Sequence, residues 1–241
     1  MSNILEIRDL KVWFPVRKGV FSRVAGYIKA VDGVSFDLEE GQTLGVVGES
    51  GSGKSTVART IAGLVKPTAG TFSLKARLGM VFQDPLGSLN PRQTVREAVG
   101  TVPRGFRRPD VAALVKSVGL DSAVLDRYPH EFSGGERQRI CIARALAVEP
   151  RLLVCDEAVS ALDLSVRAQV LDLLVDLKRQ LGLSYLFITH DLGVVQHVSD
   201  AIVVMRRGKV VESGSAESVL HSPSCEYTRN LLAAVPRIKA R

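Results

Sequence analysis

Residues 48–56 form a glycine-rich stretch, GESGSGKST, that matches the pattern G-x-x-x-x-G-K-[ST]. Glycines let backbone N–H groups converge on phosphate oxygens, Lys54 can place a positive charge on the β- and γ-phosphates, and Ser55 can ligate Mg²⁺. An apolar run, TLGVV at 43–47, precedes the stretch, and a helical pattern follows it. Because phosphate loops lie between a buried strand and a helix, the sequence predicts such a loop here.

Two adjacent carboxylates end a second apolar run. Residues 152–155 read LLVC, and Asp156 and Glu157 follow directly. The end of a buried strand is where a Mg²⁺-coordinating carboxylate belongs, which assigns Asp156 to the metal. A second carboxylate beside a metal-bound phosphate is a candidate general base for water, which assigns Glu157 to that task. Either acid alone also fits a polar loop, but the pair together with the phosphate loop favours chemistry on a phosphate.

A serine and two glycines begin a third pattern, EFSGGERQRICIARALA at 131–147. Ser133 and Glu136 fit the capping box S-x-x-E, which predicts a helix start. A capping box does not need two glycines, and glycines weaken the first turn of a helix. Gly134 and Gly135 therefore indicate that something approaches the bare backbone closely.

Apolar patterns around these motifs predict the elements that must position them. Val34, Phe36 and Leu38 alternate as on one face of a strand. YLFIT at 185–189 is a third buried run, and residues 201–213 read as a hairpin. Two helical stripes are Val57, Ile61, Leu64 and Val65, and then Val166, Val170, Leu173, Leu174, Leu177 and Leu181 with Gly182 as the C-cap. Strands that alternate with helices predict an α/β fold with a parallel core, to which antiparallel elements from both ends of the chain attach.

Residues 84–149 differ from the rest of the chain. They hold several prolines, basic clusters and a helical pattern at 110–118. This composition predicts an inserted, mostly helical lobe at 84–149. The remaining segments, 1–83 and 150–241, are then the core and its β lobe, and 1–241 is a single domain.

The bulk composition is ordinary for a globular protein, with 46% hydrophobic and 24% charged residues among 241. The net charge of +7 permits nucleic acid, an anionic membrane surface or a polyanionic ligand as a partner. The basic residues are spread along the chain, so a generally basic solvated surface explains the charge equally well.

The sequence does not contain an apolar run near the roughly 20 residues that a membrane helix needs. The first ten residues carry Glu6 and Asp9, which argues against a secretory signal and predicts a cytoplasmic protein. Cys141, Cys155 and Cys225 are scattered and are expected to be reduced.

The motifs together resemble the ATPase subunits of ABC transporters. The phosphate loop, Gln83 in VFQDP, SGGE, CDEAVSALD and ITHD occur in the order and approximate spacing of that family. The segments VFQDPLGSLNPR, RYPHEFSGGERQR and DEAVSALDLS are similar to the oligopeptide/dipeptide/nickel importer subfamily, particularly its second ATPase subunit. The resemblance covers nearly the whole chain. It implies the α/β fold of P-loop NTPases, with a RecA-like parallel-sheet core, an N-terminal antiparallel β lobe and an inserted helical lobe.

The resemblance also implies a role for each motif. ATP and Mg²⁺ are the cofactors, and the residues that hold ATP are Gly48, Glu49, Ser50, Gly51, Ser52, Gly53, Lys54, Ser55 and Thr56. Metal ligands are Ser55, Gln83 and Asp156, while Glu157, His190 and Gln83 act on water and the γ-phosphate. Two subunits pack head to tail, so that Ser133, Gly134, Gly135 and Glu136 meet the ATP of the opposite subunit. Asp163 closes the segment that crosses to that subunit.

An aromatic residue near the N-terminus stacks on adenine in this family. Phe14 and Tyr27 are both candidates, and the sequence does not choose between them. Two departures from the family pattern stand out. Glu136 replaces the glutamine of many relatives, and the chain between Gly70 and Val81 is short, which predicts a trimmed β lobe.

The partners that the resemblance implies are two integral-membrane permease subunits, a second ATPase subunit that is either the same or a different chain, and, indirectly, an external solute-binding protein. The chain would then lie at the cytoplasmic face of the membrane, and nucleic acid is not an expected partner. Two other functions remain open. A soluble ABC ATPase that acts on nucleic acid is favoured only by the net charge, and an exporter ATPase is disfavoured only by the FQDP and SLNPR segments. The transported solute, whether a peptide, a nickel chelate or another compound, is not encoded in these motifs.

Overall fold

The computed structural model describes residues 2–18 and 23–234. The strands are β1 (Asn3–Lys18), β2 (Arg23–Glu39), β3 (Thr43–Val47), β4 (Ala69–Leu74), β5 (Leu78–Val81), β6 (Leu152–Asp156), β7 (Ser184–Thr189), β8 (Ala201–Arg206) and β9 (Lys209–Ser215). The helices are α1 (Lys54–Ile61), α2 (Pro85–Ser88), α3 (Val95–Gly100), α4 (Val111–Ser117), α5 (Gly134–Leu146), α6 (Leu164–Leu181), α7 (Leu192–Val198), α8 (Ala216–His221) and α9 (Glu226–Ala233). Short 3₁₀ helices lie at Ser122–Val124 and Pro129–Glu131. None of the helices among these described residues is both long and apolar enough to cross a lipid bilayer.

The chain forms two compact units. The first consists of Met1–Lys75 and Phe187–Arg241, and the second of Ala76–Leu186. Strand β7 passes from the second unit into the first. The helices α2 to α5 all belong to the second unit, within the stretch predicted as a helical lobe.

The first unit contains an antiparallel sheet with the strand order β2-β1-β4. Val34, Phe36 and Leu38 of β2 are buried, as their alternation predicts. They pair with Leu10, Ile7 and Leu5 of β1, which are also buried. The buried apolar residues of both strands therefore lie on the same face of the sheet.

A second group of strands in the first unit carries the phosphate-loop segment. Every residue of β3 is buried, and β3 pairs in parallel with β8. β8 and β9 form the predicted antiparallel hairpin, with Arg206 opposite Lys209. The two turn residues, Arg207 and Gly208, both have positive φ, as a type I′ turn requires.

The second unit contains a parallel pair, β5 and β6, in which Val81 lies opposite Cys155. Helix α6 confirms the long apolar stripe only in part. Val170, Leu174 and Leu177 are buried, whereas Leu181 in the last turn is exposed. Gly182 ends the helix in the left-handed conformation, as expected of a C-cap.

Helix α1 is shorter than its apolar pattern predicts. It ends at Ile61, and Leu64 is exposed. Gly63 has a φ of 74°, and the N–H of Leu64 bonds back to the carbonyl of Arg59. A left-handed glycine thus closes the helix before the pattern ends.

The cysteines are free thiols. Cys141 and Cys155 are buried, as predicted, and Cys225 is half-buried. Burial raises the pKa of both the Cys141 and the Cys155 thiol, so both stay protonated at neutral pH.

Candidate functional site

The phosphate loop joins the end of β3 to the start of α1. Gly48 has a φ of 151°, and a Cβ atom there would lie 2.1 Å from the carbonyl oxygen of Met205. Gly53 has a φ of 103°, and a Cβ atom there would lie 2.2 Å from the carbonyl oxygen of Ala30. Both positions therefore require glycine, because neighbouring backbone occupies the space of a side chain.

The side chain of Lys54 folds back over this loop. It is 3% exposed, and its Nζ donates hydrogen bonds to the carbonyl oxygens of Gly48 at 2.7 Å and Glu49 at 2.8 Å. The Ser52 hydroxyl lies 3.3 Å from the same Nζ. The ammonium group is thus held inside the curve of the loop, where it faces an anion that the loop would enclose.

Helix α1 adds its N-terminus to the loop. Its N-cap is Gly53, in the left-handed conformation, and this residue provides no side-chain cap. The N–H groups of the first turn can therefore serve an anion, and the helix dipole favours one. Ser55 and Thr56, both half-buried, lie in this first turn.

Backbone hydrogen bonds fasten the loop to its surroundings. The N–H of Gly208, in the β8–β9 turn, donates to the carbonyl of Ser52 at 2.9 Å. The carbonyl of Gly208 accepts from the N–H of Asp32 at 2.8 Å. On the other side of the loop, the N–H of Glu49 donates to the hydroxyl of Tyr227 at 3.2 Å.

The motif analysis did not identify Tyr227. The segment EYTRNLL places this tyrosine in an amphipathic helix far from the loop in sequence, and such a pattern predicts core packing. Only the tertiary structure reveals the contact.

His190 stands at the carboxyl end of β7, as predicted, and is exposed. The turn after it is well ordered by hydrogen bonds: the N–H of Asp191 donates to the Thr189 hydroxyl at 3.0 Å, and Asp191 Oδ1 accepts from the N–H of Gly193 at 2.9 Å. Asp191 is the N-cap of α7. The histidine is thus fixed between a buried strand and a capped helix.

In the second unit, the parallel pairing of β5 and β6 brings Gln83 and the two acids together. Asp156, the last residue of β6, is 2% exposed, and Glu157 follows it. The Nε2 of Gln83 donates a hydrogen bond to Glu157 Oε2 at 3.0 Å. Because parallel strands place their carboxyl ends at one edge, residues 74 positions apart meet there.

Glu157 adopts a φ of 50°, which is uncommon for a residue with a side chain. The carbonyl of Glu157 accepts from both the N–H of Ser160 at 3.1 Å and its hydroxyl at 2.9 Å. These two hydrogen bonds close a turn directly after the acid pair.

Helix α5 begins with the predicted capping box. The Ser133 hydroxyl accepts from the N–H of Glu136, and Glu136 Oε2 accepts from the N–H and the hydroxyl of Ser133, both at 2.8 Å. The backbone hydrogen bond from Ser133, followed by the one from its hydroxyl, holds the pKa of Glu136 below its ordinary value.

The two glycines of this segment have different surroundings. A Cβ atom on Gly135 would lie 2.4 Å from Val166 Cγ1, so the packing of α5 on α6 already requires a glycine there. A Cβ atom on Gly134 would meet only Leu162 Cδ2, at an ordinary 3.7 Å, and Gly134 is exposed. The absence of a side chain at Gly134 therefore has no packing explanation within the second unit.

Asp163 is the N-cap of α6. Its carboxylate accepts from the N–H of Val166 at 3.0 Å and from the Ser165 hydroxyl at 2.8 Å, and the bond from Val166 is the main reason that the pKa of Asp163 is lowered. Arg167, which the motif analysis did not identify, donates from Nη2 to the carbonyl of Leu162 at 3.2 Å. The segment between Glu157 and α6 is thus closed at both ends.

Phe14 and Tyr27 lie on opposite faces of the β1–β2 ribbon. Phe14 is opposite Ile28 and is 42% exposed, whereas Tyr27 is 58% exposed, with its ring centroid 6.3 Å from that of Trp13. Lys29 Nζ lies 4.5 Å from the centroid of the Trp13 ring. Both candidates have exposed rings, so the choice between them stays open.

A buried strand, a glycine loop closed by a buried lysine and a helix, accompanied by an acid pair at the end of a second buried strand, define a P-loop nucleoside triphosphatase. The ABC transporter family matches residues 31–160, which is more than half of the chain. The chain belongs to the ABC transporter family and is one of its ATPase subunits.

Relatives with curated names cover almost all of the chain. The oligopeptide transport ATP-binding protein OppF of Lactococcus lactis is 45% identical over 99% of this chain and 82% of its own length. OppF of Escherichia coli is 49% identical over 97% of this chain and 78% of its own. AppF of Bacillus subtilis, also an oligopeptide transport ATP-binding protein, is 46% identical over 100% of this chain and 80% of its own.

Solved structures share the fold over most of the chain. CbiO1 from Clostridium perfringens, part of the ABC transporter complex cbiONQ, superposes with a TM-score of 0.77 at 25% identity and covers 99% of this chain and 98% of its own. The ATP-binding cassette MJ0796, solved as a dimer in a post-hydrolysis state with ADP and Pi, gives a TM-score of 0.74 at 26% identity over 88% of this chain and 98% of its own.

Proposed function

We propose that this protein is the ATP-binding and ATP-hydrolysing subunit that powers an importer of peptides. The observation that carries the ATPase half of the proposal is the closed phosphate loop with Lys54 inside it. The peptide half is supported by relatives at 45–49% identity that are named for oligopeptide transport.

We assign ATP to the loop residues Gly48 to Thr56. On binding, the phosphates would take over the hydrogen bonds that Lys54 now makes to the carbonyls of Gly48 and Glu49. The N–H groups of the loop and of the first turn of α1 would meet the phosphate oxygens. Phe14 or Tyr27 would stack on the adenine ring.

The donor chemistry of the side chains that we assign to the metal fits Mg²⁺. Ser55 offers a hydroxyl, Asp156 a carboxylate and Gln83 an amide oxygen, and Mg²⁺ prefers oxygen ligands together with phosphate and water. Gln83 can offer its amide oxygen to a metal ion, because only the Nε2 of the same amide is used in the hydrogen bond to Glu157. When bound, the metal would neutralise charge on the β- and γ-phosphates.

The chemical step that we assign to Glu157 is the activation of water. Glu157 would accept a proton as the water oxygen attacks the γ-phosphorus and the bond to the bridging oxygen breaks, which leaves ADP and phosphate. The hydrogen bond from Gln83 orients the carboxylate. His190, held at the end of β7, would support the same step by contacting the γ-phosphate.

We further propose that the complete site forms between two ATPase subunits. Ser133, Gly134, Gly135 and Glu136 of one subunit would face the γ-phosphate bound by the other, and Asp163 would end the crossing segment. The exposed, unobstructed backbone of Gly134 supports this arrangement. The second subunit is either a copy of this chain or a different ATPase.

The remaining assignments follow from the resemblance to the ATPase subunits of ABC importers. Residues 84–149 would form the helical lobe that contacts two permease subunits, with residues 1–83 and 150–241 as the core and β lobe. The protein would lie at the cytoplasmic face of the membrane, bound through those permeases, with an external solute-binding protein as an indirect partner. ATP-driven closure of the dimer would then change the conformation of the permeases.

The test is transport by a reconstituted importer. The chain is co-purified with the permeases and ATPase encoded beside it, placed in proteoliposomes with its solute-binding protein, and supplied with Mg-ATP. We expect uptake of labelled oligopeptides that stops in the Glu157→Gln variant. Uptake of a nickel chelate without peptide uptake, or phosphate release without any uptake, would overturn the peptide assignment while leaving the ATPase intact.

A further inference from the structure

The helix α9, near the end of the described chain, contacts the phosphate loop through the side chain of Tyr227. The Tyr227 hydroxyl accepts a hydrogen bond from the backbone N–H of Glu49 at 3.2 Å. Glu49 is the second residue of the loop, and its carbonyl oxygen accepts from Lys54 Nζ at 2.8 Å. The same residue of the loop is therefore held by Tyr227 on its amide side and by Lys54 on its carbonyl side.

The ring of Tyr227 is fixed by its packing. It is 7% exposed and belongs to a small apolar cluster whose other members are Val47, Leu192, Val195, Ile202, Val204 and Val219. Val47 directly precedes Gly48, and Leu192 lies two residues after His190. The guanidinium of Arg206 lies over the ring, 4.7 Å from its centroid. A buried ring in this position can hold its hydroxyl at a constant point against the loop.

The start of α9 is anchored independently. The carboxylate of Glu212, on β9, accepts hydrogen bonds from the N–H of Ser224 at 2.6 Å, from the Ser224 hydroxyl at 2.8 Å and from the N–H of Cys225 at 3.3 Å. Cys225 is the N-cap residue of α9 and offers no side-chain cap of its own. Glu212 therefore supplies the partner that the helix start needs, two residues before Tyr227.

We propose that Tyr227 is a positioning residue for the phosphate loop. Its hydroxyl fixes the Glu49 peptide group, so that the loop N–H groups and Lys54 are already in place when the nucleotide arrives. Without the hydroxyl, the loop spends part of its time in other conformations. The apparent ATP affinity then falls in proportion to the fraction of molecules whose loop is in the binding-competent conformation. This inference rests on the assignment of ATP to residues 48–56.

The expected signature is a change in KM without a change in kcat. The loop holds the same phosphate oxygens before and during the reaction, so a poorly positioned loop weakens substrate and transition state equally. If Tyr227 had only a structural role, its substitution would lower the melting temperature without a specific rise in the KM for Mg-ATP.

The experiment compares Tyr227→Phe with Tyr185→Phe in the full chain with its partner ATPase. Tyr185 is 3% exposed, and its hydroxyl also bonds to backbone, although as the donor: it donates to the carbonyl of Leu174 at 2.9 Å, within the second unit. Each change thus removes one buried hydroxyl and keeps the ring. We expect Tyr227→Phe to raise the KM for Mg-ATP about threefold to tenfold, the worth of one hydrogen bond, with unchanged kcat. Tyr185→Phe should leave KM unchanged, whatever its effect on the melting temperature.

Hydrogen exchange gives a second readout. In the absence of nucleotide, the Glu49 amide should exchange faster in Tyr227→Phe than in the wild type, and Mg-ATP should reduce the difference. An unchanged KM in Tyr227→Phe, an equal rise of KM in Tyr185→Phe, or an unchanged exchange rate at Glu49 would each overturn the proposal.

Lys54→Ala, measured in parallel, separates this inference from the proposed function. If Lys54→Ala sharply weakens ATP binding and Tyr227→Phe has no effect on KM, only the role of Tyr227 is wrong. If Lys54→Ala keeps full ATP affinity, the assignment of ATP to the loop fails, and the role of Tyr227 fails with it.

Discussion

The phosphate loop of the first unit and the α5 start of the second are both glycine-containing helix N-termini, but they satisfy their polar groups differently. The phosphate loop has no side-chain cap, and a buried lysine fills its curve. The α5 start is capped by Ser133 and Glu136, and Gly134 and Gly135 lie between these two residues. Under the proposed function, the first is a preformed anion site that binds phosphate by itself. The second carries a carboxylate at its start, which disfavours an anion there alone, and would complete a site of another subunit.

Under the proposed function, the loop binds the nucleotide, whereas Glu157 and the α5 start act in turnover. Changes at Glu157 or at the α5 start should therefore affect turnover far more than binding, and changes in the loop should do the reverse. The following variants are ordered from the largest expected effect to the smallest.

Glu157→Gln should produce the largest effect, and on turnover alone. Removal of a general base typically costs about 10²–10⁴-fold in rate, while the nearly isosteric amide keeps the site's shape. Loss of the negative charge also reduces repulsion of the γ-phosphate, so an ATP-bound closed dimer should accumulate. Steady-state phosphate release measures the rate, and light scattering with Mg-ATP and the cognate second subunit measures the dimer. Loss of ATP binding instead would mean that the roles of Asp156 and Glu157 are exchanged.

Ser133→Arg should strongly reduce hydrolysis while leaving the ATP affinity of the isolated subunit nearly intact. The bulky cation removes the cap of α5 and obstructs the exposed backbone of Gly134. The expected loss of phosphate release is about a hundredfold or more, comparable to the loss of an oxyanion donor. Ser117→Arg is a matched control at an exposed position of α4 in the second unit. Full cooperative ATPase activity in Ser133→Arg would contradict the composite site.

Lys54→Ala should weaken ATP binding about a hundredfold, because two or more charge-assisted hydrogen bonds to phosphate are lost. Titration with a fluorescent ATP analogue measures the affinity, and circular dichroism verifies the fold. Lys66→Ala, which removes an exposed charge beyond α1, is the control for net charge. Equal affinity in Lys54→Ala and the wild type would refute the preformed anion site.

Glu136→Gln should have the smallest effect, with ATP affinity changed by less than about twofold, because glutamine also completes a capping box. The pKa of Glu136 is lowered in the folded protein, so its contribution to stability is present above the unfolded pKa and is lost as the pH falls through the lower folded value. Melting temperatures between pH 6 and pH 3 should therefore decline less steeply in Glu136→Gln than in the wild type. An identical decline would show that other groups, such as Glu131 and Asp163, account for the acid sensitivity.

The motif residues were predictable from sequence because each answers a local demand. A phosphate loop needs glycines, lysine and serine at fixed spacing, and a capping box needs Ser133 and Glu136 three positions apart. Apolar alternation and buried runs likewise predicted β2, β3, β6 and β7 and the β8–β9 hairpin, since burial of one or both faces dictates the residue types of a strand.

Other features required the tertiary structure, because they depend on residues that are distant in sequence. Gly135 is needed for contact with Val166 on another helix. The early end of α1 is, by contrast, a local event that the apolar pattern concealed, because Gly63 turns left-handed while that pattern continues. The pairing of Gln83 with Glu157 follows from the register of β5 and β6.

The sequence by itself determined the chemistry of this protein, and the tertiary structure decided how that chemistry is held in place. Residue type and spacing assign that chemistry to Lys54, Asp156 and Glu157, because a phosphate loop and an acid pair after a buried strand are both local patterns. Tyr227 lies 178 residues from Glu49, and no local pattern links a tyrosine in a short amphipathic helix to a glycine loop. Only the packing of α9 on the cluster around Val47 brings the hydroxyl to the Glu49 amide, so that contact belongs to the fold as a whole.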